Sequence, residues 1–377
     1  MKKTLIALAA LAATGATFAQ ATISGNIGFS WQQSPVKAAS GDGSHVQGFA
    51  INDGEIYISA KEDLGGGMSA TARGGMTMRG RSNAIGDRDA TVGLTGSFGA
   101  ITVGSFRSCG TLMGVLSGVV TGTVYSSNES NNFTPLDKCS LIDAAVYSMP
   151  VGPVMLSATY GEFGSSVTDT SSTDRGNTTG ITFTDLGGVY TSGPLMASIN
   201  VTGFAAVGTL AAADGIVRTR LAGTYDAGVA KFGLGYQNKS GNFADQYVAS
   251  VAVPMGNTVF GLDYTARASQ GVGDKGTAGA VAAYALGAAR DGDKASSSVG
   301  VGVTYSFSKT LTLNASYITY TDAGVNEKYG TPVAAATPVL NNDGTLKTAG
   351  KTANPFPAGT TSSQLDTEYR IRLMKSF

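Results

Sequence analysis

The chain has 377 residues, balances 26 basic against 26 acidic side chains, and is only 14 % charged, where soluble proteins average roughly 25 %. That balance excludes a strongly basic surface and gives no reason to expect a nucleic-acid partner. Glycine reaches 53 residues, about twice the usual ~7 %, and beyond the N-terminus no run approaches the ~18 apolar residues of a spanning helix, so a helical membrane protein is excluded.

The first element is a processing segment. Lys2 and Lys3 precede an apolar stretch, 5–18, and Thr17-Phe18-Ala19 puts small residues at the ends of a cleavage tripeptide. Such a stretch is too short to span a membrane and reads as a secretory signal peptide over 1–19, with the mature chain starting at Gln20. Ala19-Gln20-Ala21 is an equally legal site two residues on. Removing the segment takes two lysines and no acid, which leaves the remainder slightly acidic.

From there the chain alternates with period two. Ile23, Gly25, Ile27, Phe29 and Trp31 fall on one face, and Thr22, Ser24, Asn26, Gly28 and Ser30 on the other. A helix, with period 3.6, cannot sort residues this way. The same pattern predicts strands at 22–31, 49–62, 67–79, 88–98, 100–107, 142–149, 153–162, 180–191, 194–204, 216–226, 229–238, 245–253, 256–267, 296–307, 310–320 and 366–377. Aromatic residues sit near strand ends, as a membrane-interface girdle requires.

The connections alternate in length as well. Those at 63–66, 99, 150–152, 192–193, 227–228, 254–255 and 308–309 are short. Those at 32–48, 80–87, 108–141, 163–179, 205–215, 239–244, 268–295 and 321–365 are longer. An even number of strands, short turns on one side and long loops on the other define an all-β, 16-stranded antiparallel transmembrane barrel in the Gram-negative outer membrane. No linker divides 20–377, so it reads as one domain.

Several segments resemble the general porins of Gram-negative bacteria, especially the beta-proteobacterial branch. They are Ala21-Thr22-Ile23-Ser24-Gly25, Lys61-Glu62-Asp63-Leu64-Gly65-Gly66-Gly67-Met68-Ser69-Ala70, Arg88-Asp89-Ala90-Thr91-Val92-Gly93-Leu94, Ser97-Phe98-Gly99-Ala100-Ile101-Thr102-Val103-Gly104 and the terminal Phe377. The resemblance implies a homotrimer in lipid and lipopolysaccharide. Each barrel would be a water-filled path for small hydrophilic solutes and ions, narrowed by an inward-folded third loop, here 108–141. It also implies that acids of that loop, Glu129 and Asp137 with Asp143 just beyond, face basic wall residues. No enzyme activity and no cofactor follow from it. The family tends to carry an Arg directly after Gly in strand five, whereas here Gly104-Ser105-Phe106-Arg107 places Arg107 two residues later.

Alternation predicts which charges reach the lumen. In the third strand Ser69, Thr71, Arg73, Gly75, Thr77 and Arg79 oppose Met68, Ala70, Ala72, Met76 and Met78. A charge on the lipid face near the midplane costs ~2–4 kcal/mol, so Arg73 and Arg79 are assigned to the lumen. The same parity places Arg218, Arg220, Lys231, Arg267, Arg370 and Arg372 inside, with Asp53, Glu55, Lys61, Asp263 and Glu368. Arg107 shares parity with Ile101 and Val103, and reaches the lumen only if its strand has ended or bulged. The basic excess predicts a weak anion preference. Two further readings stay open: a substrate-selective channel, and an adhesin or structural barrel with an occluded lumen.

Cys109 and Cys139 flank the third loop in an oxidising compartment. A disulfide between them would close a loop whose cross-link contributes on the order of 3–4 kcal/mol. Two free thiols are the alternative, and spacing does not choose between them. Other signals are weak. Gly271-Val272-Gly273-Asp274-Lys275-Gly276 has dinucleotide-motif spacing but lies in a loop rather than a βαβ unit. His45 is the one histidine, too few for a zinc site. Asp42, Asp87, Asp291 and Asp293 read as solvated loop charge, with Ca²⁺ binding as the alternative. The apolar stretch 111–124 reads as loop packed on the wall, and 277–290 as a short helix.

Overall fold

The computed structural model describes residues 20–37, 45–78, 86–108, 111–120, 136, 140–162, 181–206, 214–240, 244–268, 295–321 and 367–377. The strands, in chain order, are β1 (Gln20–Lys37), β2 (His45–Gly65), β3 (Met68–Thr77), β4 (Gly86–Gly96), β5 (Gly99–Ser108), β6 (Ser140–Val151), β7 (Val154–Glu162) and β8 (Ile181–Ser192). They continue with β9 (Leu195–Ala206), β10 (Val217–Asp226), β11 (Lys231–Lys239), β12 (Gln246–Met255), β13 (Thr258–Arg267), β14 (Ser296–Ser306), β15 (Leu311–Thr321) and β16 (Thr367–Ser376). Each pairs antiparallel with its sequence neighbours, and β1 pairs with β16, which closes the barrel. Backbone bonds between Gly25 and Phe377, each 3.0 Å, extend that closing seam to the last residue. Closure leaves no strand edge unpaired, as a lipid environment demands.

The usual burial order is inverted. Leu234 is 67 % exposed on the outer face of β11, whereas Gln237 on its inner face is completely buried. The outer faces carry Ile23, Phe29, Val92, Tyr160, Leu186, Phe260 and Val301, all exposed. That distribution is what hydrocarbon outside and water inside select. Lys375 breaks the apolar outer face of β16 near its end, and its Nζ donates to Thr310 Oγ1 in the neighbouring turn.

Most predicted strands match the observed ones within two residues; β1 runs on to Lys37, six residues past its predicted end, β2 begins at His45, four before its predicted start, and several turns are displaced. The β2–β3 turn is Gly66-Gly67 and the β4–β5 turn is Ser97-Phe98, rather than 63–66 and residue 99. Of the two-residue turns, all but Ser97-Phe98 contain a glycine at positive φ. Gly256, at φ 61°, serves the β12–β13 turn, the backbone region that tight hairpins favour. The register shifts at four places in β1 to β4, and two of the shifts lie within the wall. Gly28 pairs with Asp53 but Phe29 pairs with Ile51, so Asn52 is an extra residue on β2. The bulge swaps parity along β2, which lets Phe49 and Ile51 face outward beyond it and Ile56 and Ile58 face outward before the turn. A second shift, between Gly74↔Ala90 and Met76↔Asp87, inserts one residue into β4.

Candidate pore lining and constriction

The inner wall is built from the residues between the lipid-facing ones. Register places Arg73 between Ser59 of β2 and Thr91 of β4, on the lumen face. Its guanidinium carbon lies 3.9 Å from the centroid of the Tyr57 ring, and Tyr57 Oη donates to Glu55 Oε2 at 3.2 Å. A cation over a ring face is held by the ring quadrupole, with about 0.5–1 kcal/mol at an exposed site. Arg73 is exposed and sits near the middle of its strand. The other charges assigned inside by alternation also fall on inward positions: Arg218, Arg220, Lys231, Arg267, Arg370 and Arg372, with Asp53, Glu55, Lys61, Asp263 and Glu368.

The inward acids are engaged. Asp185 accepts Asn200 Nδ2 at 3.0 Å and Thr202 Oγ1 at 2.6 Å. Thr202 Oγ1 in turn accepts from Arg218 Nη2 at 3.4 Å. Glu368 accepts from Tyr320 Oη at 3.0 Å and lies 3.6 Å from Arg370. Asp53 pairs with Arg372 at 2.6 Å. Sequence reading missed Asp185 and Lys239. Lys239 lies one residue past the predicted end of its strand, yet its parity with Lys231 was a usable signal.

Two sequence assignments are corrected by register. β5 pairs with β6 without a slip from Ala100↔Ser148 to Ser108↔Ser140. Arg107 and Asp143 therefore keep the parity of exposed Ile101, Val103 and Tyr147, which is the outer face rather than the lumen. The resemblance groups Asp143, inside the predicted strand 142–149, with the loop acids; it stands in β6, which begins at Ser140. It lies opposite Ser105 and Glu162, and accepts a hydrogen bond from Ser105 Oγ. The backbone N–H of Arg107 donates to Asp89 Oδ1 at 3.0 Å. Arg79, Glu129, Asp137, Cys109 and Cys139 lie outside the described residues, as do 271–276 and 277–290.

The third long connection contributes a strap. Residues 111–120 begin with a 3-10 helix, Thr111–Val115, and carry no charged side chain. The strap lies on the inner wall across β10 to β15. Leu112, Val115 and Leu116 are buried in a cluster with Leu136, Ala222 and Val248, and burying such side chains stabilises by ~1.5–3 kcal/mol each. Wall side chains satisfy the strap's polar groups. Ser250 Oγ donates to Val115 O. Asp263 accepts Ser117 N–H at 2.8 Å and Ser117 Oγ at 3.0 Å. Asn314 Nδ2 donates to Val119 O at 2.7 Å. In the barrel order the anchoring strands β15, β13 and β12 lie four, six and seven strands round from β3, which carries Arg73.

A closed barrel with an apolar exterior and a charged, polar interior crossed by a strap defines a transmembrane pore. A family model described as Gram-negative porin matches residues 4–326, and the chain belongs to that family. Among curated protein sequences there is no significant match. Solved structures share the fold. An anion-selective porin from Comamonas acidovorans superposes with a TM-score of 0.57 at 17 % identity, covering 95 % of this chain and 100 % of that one. A mutant of the Rh. blastica porin gives 0.58 at 11 % identity, over 95 % and 100 %. A loop-deletion mutant of OmpT, an outer membrane protein of Vibrio cholerae, gives 0.56 at 12 %, over 95 % and 99 %. The protein is a passive channel of the Gram-negative outer membrane.

Proposed function

We propose that residues 20–377 form a homotrimeric diffusion porin for small hydrophilic solutes and ions, with weak anion preference and a constriction made by the 108–141 loop. Residues 1–19 are then the signal peptide removed on export. The observation that carries this reading is the strap: a charge-free segment fastened to one side of the wall, with exposed Arg73 on the other. Asp53, Asp185, Asp263 and Glu368 are each bound to a neighbouring donor. Arg73 is instead held by an aromatic ring, so its positive charge faces the water path and favours anions. The Comamonas relative is named as anion-selective.

The outer surface supports the trimer. Among the described residues, outward tyrosines such as Tyr147, Tyr160, Tyr190, Tyr225, Tyr264 and Tyr317 are spread over β6 to β16. None is outward on β1 to β5. There the outer face of β2 to β4 carries Ala60, Ala70, Ala72, Gly74 and Ala90. A tyrosine girdle belongs where lipid headgroups and lipopolysaccharide meet the barrel. These small residues are interleaved with exposed Ile58, Met68, Val92 and Leu94, an apolar face without tyrosine that suits contact with another subunit. The test is single-channel recording in planar bilayers under a KCl gradient. Large ohmic openings in threes with an anion-sided reversal potential support the reading. A folded, heat-modifiable protein that conducts nothing overturns it and turns attention to the surface loops.

A further inference from the structure

We infer that glycines of the inner wall form a trough that seats the strap, and that the depth of this trough sets the bore of the channel. This rests on the reading of the strap as the constriction. The glycines follow the strap across the barrel. On β11, Gly233 and Gly235 are inward, between inward Lys231 and Gln237. On β13, Gly261 is inward between Val259 and Asp263. On β14, Gly300 and Gly302 are inward between Ser298 and Thr304. Beside these glycines, the wall side chains Ser250, Asp263 and Asn314 meet the strap and hold it.

Glycine weakens a strand interior and marks the close approach of another backbone. A Cβ added at each of these positions would meet the strap. At Gly233 it would run into the Val115 carbonyl, and at Gly261 into Val119 Cβ. At Gly235 it would lie 2.6 Å from Leu112 Cδ2. At Gly302 it would lie 2.8 Å from the Val119 carbonyl oxygen, the same oxygen that Asn314 holds. These are mainly backbone or near-backbone contacts, and a rotamer change does not relieve them. The wall is behind the strap, so the strap can yield only toward the lumen. The glycines are therefore size-determining residues of the pore, although none touches the solute path.

The experiment compares single-channel conductance and liposome-swelling rates for sugars of increasing size. Gly302→Ala and Gly233→Ala are expected to lose conductance and to lose permeability to the larger sugars first. Gly300→Ala is expected to do the same, because its Cβ would meet Val120 Cγ1. Val120→Ala should then restore it, since the remaining Val120 Cβ is 3.5 Å away, an ordinary contact. Gly188→Ala, on the outer face with nothing nearer than 3.7 Å, should equal wild type. Wild-type conductance from folded Gly302→Ala, or failure of Val120→Ala to rescue Gly300→Ala, overturns the trough. Should Gly302→Ala not fold, the Gly300 and Val120 pair decides alone. Gly114→Cys, at an exposed strap position with open space around it, separates the two readings when labelled with a bulky thiol reagent, treated wild type being the blank. A labelled strap that reduces current beside unaffected glycine variants rejects only the trough. A labelled strap without effect rejects the constriction itself, and the trough with it.

Discussion

Arg372 Nη1 donates to Asp53 Oδ2 over 2.6 Å, a contact that steps across β1 to join β16 to β2. Gly28 and Ser30 lie beneath it on β1, and a Cβ at Gly28 would lie 2.8 Å from Asp53 Oδ2. The pair therefore straps the seam where the first and last strands meet, inside the lumen. Removing either partner strands a largely buried charge, so Arg372→Ala and Asp53→Ala should each destabilise by about 1–3 kcal/mol. The folded band on unheated gels should then unfold at a lower temperature. The double variant should fall short of the sum of the two, because both remove one interaction. Additive losses would show that the pair does not act as a unit.

Asp263 is the charged anchor of the strap. The residue is 5 % exposed, and its carboxylate takes two donors from Ser117. Asp263→Ala leaves the Ser117 N–H without its acceptor, a cost of about 1–3 kcal/mol for the seated strap. The expected result is a noisier channel with frequent subconductance steps. Asp263→Asn keeps an acceptor oxygen and should be much quieter. Equal noise in both variants would assign the effect to lost charge rather than to the lost hydrogen bond.

Much of the wall was legible in the sequence because lipid and water select opposite residues on alternate positions. Arg73, Arg220 and Arg370 could be placed from their oily neighbours alone. Parity fails where a single residue is inserted, and nothing in Asn52 announces the bulge that lets Phe49 and Ile58 share an outer face. Asp143 is placed in its strand, 142–149, but assigned to the lumen with the neighbouring loop acids, whereas the unbroken β5–β6 register gives it the parity of Tyr147. The seat of the strap was hidden for a different reason. Ser117 and Asp263 are 146 residues apart, and a wall glycine has no side chain whose pattern could reveal what lies on it.

Ion selectivity should depend on Arg73 and on the ring beneath it. Arg73→Ser removes the exposed mid-wall cation and is expected to move the reversal potential toward cations. Arg73→Glu should move it further. Tyr57→Leu removes about 0.5–1 kcal/mol of cation–π restraint, while Tyr57→Phe keeps the ring and should behave nearly as wild type. The KCl-gradient reversal potential reads all four variants. An Arg73→Glu channel with unchanged selectivity would place the selective point elsewhere.

Cys109 and Cys139 bracket the strap in sequence, next to the ends of β5 and β6, where Ser108 pairs with Ser140. A cross-link between them would close the loop that carries the strap, and the exported chain meets an oxidising environment. The expected state is a disulfide that ties the base of the strap-bearing loop. Thiol titration of the unfolded protein should then find no reactive thiol until a reductant is added. Reduction, or Cys109→Ser with Cys139→Ser, should release the loop base and broaden the distribution of single-channel conductances. The barrel itself should keep its heat-modifiable band, because the interstrand bonds of β5 and β6 continue without the cross-link. Two thiols titrating before reduction would remove the covalent tie, and the strap would then be held by its burial and by Ser250, Asp263 and Asn314.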